Sequence, residues 1–117
     1  MENLDEATIR AIYERWNAKD LDGVLAAFSD LGPGGFTVEY IGQPPIEGTA
    51  AVQDMWKSYG GTCTTDVATL IVNGSEAAAL IHNNLSKDGA IVTMHSIETY
   101  RRDGDRLFVR YFHHTPE

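Results

Sequence analysis

Apolar residues in the N-terminal part of the chain recur at helical spacing. Ile9, Ile12, Tyr13 and Trp16 fall at i, i+3, i+4 and i+7, so they share one helix face. Asn3 suits the N-cap, with Glu6 placed as in a capping box. The helix should stop near Asn17-Ala18-Lys19. Asp20 can cap a second helix, whose stripe is Leu21, Val24, Leu25 and Phe28. Leu31-Gly32-Pro33-Gly34-Gly35 ends it. Phe36 to Ile41 then reads as a strand, with Thr37, Glu39 and Ile41 on one side and Phe36, Val38 and Tyr40 on the other. Pro44 and Pro45 end its pairing. A third helix is expected from about Thr49, with Val52, Met55, Trp56 and Tyr59 as its stripe and Gly60-Gly61 as its end.

Beyond Thr62 the period changes to that of strands. Runs over 62–72, 77–86, 90–101 and 106–114 are separated by Asn73-Gly74, Asp88-Gly89 and Asp103-Gly104. Such Asn-Gly and Asp-Gly pairs tolerate the positive φ of tight hairpin turns, so an antiparallel meander follows. The expected order is ααβαββββ, an α+β fold. Three helices cover one face of a curved, mostly antiparallel sheet, and a ligand cavity lies where the sheet curls away. The uncovered face would suit a second copy of the chain, giving a homodimer.

Composition narrows the function classes. At 117 residues, 43% apolar and 22% charged, the chain fits one domain, 1–117, with a real core. A net charge of −8 argues against nucleic acid and anionic membranes as partners. The acidic N-terminus is not a secretory signal, and no run is long enough to span a bilayer, so a cytoplasmic location is expected. Cys63 is the single cysteine, which leaves no internal disulfide. His82, His95, His113 and His114 lack metal-ligand spacing, and no metal or other cofactor is expected.

The chain resembles the NTF2-like (cystatin-like) α+β cone superfamily, in particular its SnoaL-like and ketosteroid isomerase branch. The resemblance spans nearly the whole chain. Its closest motif is Thr37-Val38-Glu39 followed by Gly42-Gln43-Pro44-Pro45-Ile46-Glu47-Gly48, and Asp20 to Phe28 also fits. It implies a cofactor-independent enzyme, an isomerase, cyclase or lyase. Such an enzyme takes a proton beside a carbonyl of a small apolar, steroid- or polyketide-like molecule. A non-catalytic ligand-binding or protein-interaction module is the other reading.

The resemblance also suggests site residues. Counting back three from Gly42 places the general base at Glu39, whereas aligning on Thr37-Val38-Glu39 places Tyr40 there. The Gly-Gln-Pro-Pro anchor favours Glu39, which should be desolvated among Val38, Tyr40 and Ile41. Tyr13 answers to the family's helix-one tyrosine. Counts from the Asp88-Gly89 turn and from Tyr100 reach Glu98 and Ser96 as oxyanion donors. Phe108, Arg110, Phe112 and His114 alternate together on the last strand. If they face the cavity, Arg110 can pair with Glu98 and His114 can act as an acid or base. Trp16, Trp56, Tyr59, Asn83 and Met94 complete the expected substrate contacts.

Overall fold

The computed structural model describes residues 3–113. Helix α1 (Glu6–Asn17) and helix α2 (Leu21–Leu31) form a tight pair. The N-cap of α1 is Asp5 rather than Asn3, whose backbone lies before the helix. Asp20 caps α2 as expected, its carboxylate accepting from the Gly23 N–H at 2.9 Å. Strand β1 (Gly35–Tyr40) follows. A two-residue strand β2 (Ile46–Glu47) then pairs antiparallel with β1 before helix α3 (Gly48–Tyr59). This β2 adds an element to the expected order, and α3 is not N-terminal to the first strands. Glu47, read only as part of the turn, caps α3 by accepting from the Thr49 and Ala50 N–H groups.

The meander is β3 (Cys63–Asn73), β4 (Glu76–Lys87), β5 (Ala90–Asp103) and β6 (Arg106–His113). Asp88 and Gly89 take φ values of 52° and 79°, as their hairpin requires. The six-stranded sheet has the order β2-β1-β6-β5-β4-β3, and β1 runs parallel to β6. An irregularity between Val67 and Thr69 shifts the register of β3 against β4.

The three helices bury their apolar faces on one side of the sheet. Ile9, Val24, Phe28 and Val52 pack there with Val38, Ile81, Tyr100, Leu107 and Val109 from the strands. Alternation does the rest: residues paired across strands share a face. Phe36 and Val38 are inward on β1, and Leu107, Val109 and Tyr111 are inward on β6. The far end of α1 is tied to β3. Trp16 donates to the Cys63 carbonyl at 2.9 Å, and the Asn17 amide donates to Thr65 O and accepts from Thr65 N, both at 2.7 Å. No described helix is long and apolar enough to cross a membrane.

Packing at the start of α3 is close. A Cβ on buried Gly48 would lie 2.2 Å from the Phe36 ring, which is stacked on Phe28 at 4.6 Å between centroids. Helix propensity favours Ala over Gly by about 1 kcal/mol. Overpacking a fixed ring costs about 1–3 kcal/mol and should win. Gly48→Ala is therefore expected to lower the urea midpoint, and an unchanged or higher midpoint would mean that the ring pair yields freely.

Candidate active site

A cavity of about 750 Å³ opens between the helices and the concave side of the sheet. Ile12, Tyr13 and Trp16 of α1, with Val52, Met55 and Tyr59 of α3, form its helical wall. The sheet contributes Tyr40, Cys63, Asn83, Met94, Glu98, Tyr111 and His113, among others. The wall is mainly apolar, and Glu98 is its only carboxylate among the described residues.

Glu98 is buried, at 8% exposure. The Tyr13 hydroxyl donates to its Oε1 at 2.7 Å, and the Ser96 hydroxyl donates to its Oε2 at 3.0 Å. Each donor is itself supported. Asn83 Nδ2 donates to Ser96 Oγ at 2.9 Å and to the Met94 carbonyl at 3.1 Å. The Tyr13 and Tyr100 hydroxyls are also hydrogen-bonded. Because Tyr13 has one proton, donating it to Glu98 leaves Tyr100 as the donor to Tyr13. Two chains of donors thus converge on one carboxyl.

Burial pushes the Glu98 carboxyl above its usual range, and the Tyr13 and Ser96 hydrogen bonds only partly offset this. Burial, then the charge of Glu98, keeps Tyr13 well above the ordinary tyrosine value. The same two causes act on Tyr111, and push Tyr40 up to about 12. Burial lowers the partly exposed His113, which favours the neutral imidazole.

The structure brings Tyr13, Trp16, Tyr59, Asn83, Met94 and Glu98 to the cavity wall, and sets Ser96 beneath Glu98. It does not bring Glu39 there. The deep burial of Phe36 and Val38 fixes the parity of β1, so Glu39 points to the opposite face. There its carboxylate meets Arg110 at 3.3 Å, the residue paired with it on β6. Phe108, Arg110 and Phe112 lie on that same face because Leu107, Val109 and Tyr111 take the inward positions. Arg110 therefore pairs with Glu39 and not with Glu98. With Arg110 half exposed and Glu39 still partly open to solvent, that pair is worth under ~1 kcal/mol. Trp56 stands behind the wall, edge-on to Trp16 at 5.1 Å. His114 lies outside the described residues.

Several lining residues escaped sequence reasoning as site residues: Tyr40, Tyr111, His113 and Cys63. The alternation Leu107-Val109-Tyr111 was a usable signal for the last strand. Tyr40 was the alternative register of the turn motif, and its inward side chain fits that register.

The sequence profile of the SnoaL-like domain matches residues 9–111. The chain belongs to the SnoaL-like family. Solved structures share its NTF2-like fold. A protein described as a SnoaL-like polyketide cyclase from Jannaschia sp. CCS1 is 14% identical, with a TM-score of 0.72 over 91% of this chain and 82% of that one. An LEH-like epoxide hydrolase from M. tuberculosis is 16% identical, with a TM-score of 0.69 over 92% and 80%. SalBIII, described as an epoxide hydrolase/cyclase-like enzyme of pyran ring formation in salinomycin, is 15% identical, with a TM-score of 0.69 over 91% and 88%. No curated protein is significantly similar in sequence.

The buried carboxyl makes stability depend on pH. Because burial raises the Glu98 pKa above the ordinary glutamate value of about 4.5, the folded protein keeps a proton that the unfolded chain has already lost. The stability this contributes is complete below that value and is lost as pH rises through the folded pKa. Glu98→Gln cannot titrate. Wild-type stability minus that of the variant should therefore fall as pH rises from about 4.5 toward neutrality, measured as urea midpoints across a pH series. A difference independent of pH would mean that Glu98 titrates as an ordinary carboxyl.

Proposed function

We propose that this chain is a cofactor-independent acid–base enzyme with Glu98 as the proton-transferring carboxyl. Its substrate is a small apolar molecule of steroid- or polyketide-like character, with an acidic C–H beside a carbonyl. The observation that supports this reading is a buried carboxyl on the wall of a mainly apolar cavity, held through both oxygens. Desolvation raises its basicity toward the working range of a general base, and the Tyr13 and Ser96 hydrogen bonds fix its direction. Proton removal beside a carbonyl is the first step of isomerisation, of aldol-type cyclisation and of dehydration. The family and its structural neighbours include enzymes described as cyclases and epoxide hydrolases.

A binding-only module is the second reading. One observation favours it: both Glu98 oxygens are already engaged by protein hydroxyls, an arrangement that a structural polar network would also have. A cytoplasmic location belongs to the same proposal, supported by the lone free cysteine.

The experiment uses two probes, 5-nitrobenzisoxazole as a general acceptor of base attack and a β,γ-unsaturated ketone for the carbonyl reaction. Wild type is expected to accelerate proton transfer with a rate that climbs with pH to a plateau. Glu98→Gln should lose at least about a hundredfold, within the range of general-base contributions. Glu39→Gln, on the other face, should match wild type. Equal rates for wild type and Glu98→Gln would overturn the enzyme reading and leave the module.

We also propose that the open face of the sheet pairs two copies of the chain. Ile97 and Phe112, register partners on that face, are 48% and 37% exposed. The Glu39–Arg110 pair beside them offers charges of both signs to a two-fold mate. Sedimentation should give a dimer for wild type and a monomer for Ile97→Glu. A wild-type monomer at high concentration would exclude the pairing.

A further inference from the structure

Glu98 does not stand alone on the concave face. Tyr111 is its register partner on β6, and Tyr40 is the register partner of Tyr111 on β1. The three side chains therefore form one row across adjacent strands. Strands are about 4.8 Å apart, so each member starts one strand spacing from the next. The Tyr40 and Tyr111 rings lie 5.5 Å apart, tilted by 58°. Both line the cavity.

The two hydroxyls differ from that of Tyr13. Tyr13 is committed to Glu98 and Tyr100, and Ser96 is committed to Glu98 and Asn83. Among the described residues, neither the Tyr40 nor the Tyr111 hydroxyl has a hydrogen-bond partner. Tyr111 is nevertheless only 5% exposed. Among the described residues, no fully enclosed side-chain oxygen or nitrogen lacks a partner. The Tyr111 hydroxyl then reaches the open space of the cavity, where its proton is free to be donated to a ligand atom in place of water.

We propose that Tyr40 and Tyr111 form the oxyanion site of this cavity, holding the carbonyl oxygen of the substrate while Glu98 works on the adjacent carbon. The proposal rests on the acid–base reading of the same cavity. In the step, the Glu98 carboxylate takes the proton, and the C–H electron pair forms the new C=C bond. The carbonyl π electrons move onto oxygen. The two phenols donate hydrogen bonds to the resulting enolate and keep their protons. Their raised pKa values suit this task, because they remain donors throughout the neutral and mildly alkaline range. The ligand class is thus a ketone or similar carbonyl compound, or an oxyanion that mimics its enolate. This differs from the donors implied by family resemblance: Tyr13 and Ser96 support the carboxyl, and the tyrosines of the two parallel strands bind the oxygen.

Binding of 4-nitrophenolate tests the site directly, with nitrobenzene as a control that has the same ring and no phenolic oxygen. Wild type, Tyr40→Phe, Tyr111→Phe and the double variant are titrated with each probe at a pH where the phenol is ionised. The double variant should bind 4-nitrophenolate at least about tenfold more weakly, as expected for losing hydrogen bonds to a charged oxygen. Nitrobenzene affinity should stay within about twofold, which also reports an intact cavity. Equal 4-nitrophenolate affinities in wild type and the double variant would overturn the proposal. So would parallel losses for both probes, or no binding of 4-nitrophenolate to wild type. Glu98→Gln separates this outcome from the role of Glu98. If that variant still transfers protons while the tyrosine variants lose 4-nitrophenolate, the proton-transfer role falls and the oxyanion site stands.

Discussion

The enclosure of a single carboxyl organises the interior of this protein. Taking Glu98 out of water is unfavourable unless its oxygens find donors. The chain meets this from two directions. Helix α1 sends in Tyr13, and β5 itself sends in Ser96 two residues before Glu98. Each is braced in turn, by Tyr100 and by Asn83. The bracing fixes rotamers as well as charge. Tyr13 can reach Glu98 only while α1 keeps its angle over the sheet, and the Trp16 and Asn17 contacts to β3 hold that angle. Helix docking and site geometry are therefore one constraint.

The second constraint is the pleat. A strand has two faces, and burying one set of side chains commits the other. Phe36 and Val38 sink beneath the helices, which carries Tyr40 inward and Glu39 outward. Leu107 and Val109 do the same for Tyr111 and Arg110. The chemistry available to the cavity is set by the apolar residues beside it. Glu39 and Arg110, the more conspicuous charges in the sequence, end as an exposed cross-strand pair.

Much of this was legible in advance. The helical stripes, the Asp20 cap and the three hairpin turns each follow from local chemistry, and they appear at or near the expected residues. Glu98, Tyr13, Asn83 and Met94 could be nominated from turn counting and resemblance. The face of β1 was misassigned because the Gly-Gln-Pro-Pro register was weighed above the pattern itself: Phe36, Val38 and Tyr40 are all apolar or aromatic, while Thr37 and Glu39 alternate with them. Packing of Phe36 against Phe28 and Gly48 follows that apolar parity. The pairing of β1 with β6 is set by tertiary closure, not by any local signal, and it is that pairing which lines up Tyr40 with Tyr111. The short β2 was missed because the flanking prolines mark a turn more strongly than its two residues mark a strand.

The parallel contact between β1 and β6 also shapes how the molecule comes into being. Residues near the start of the sheet must wait for those near its end, since every hydrogen bond on that side of β1 is made to the last described strand. During synthesis the helices and β1 emerge first, and β6 follows only after the whole meander. Until then β1 has an unsatisfied edge, with the apolar side chains of Phe36 and Val38 beside it. A long-range closure of this kind slows folding and leaves a sticky intermediate. The same late event aligns the row of Tyr40, Tyr111 and Glu98, so a nascent or truncated chain has no partial version of the cavity. Assembly of the site and completion of the fold are a single step.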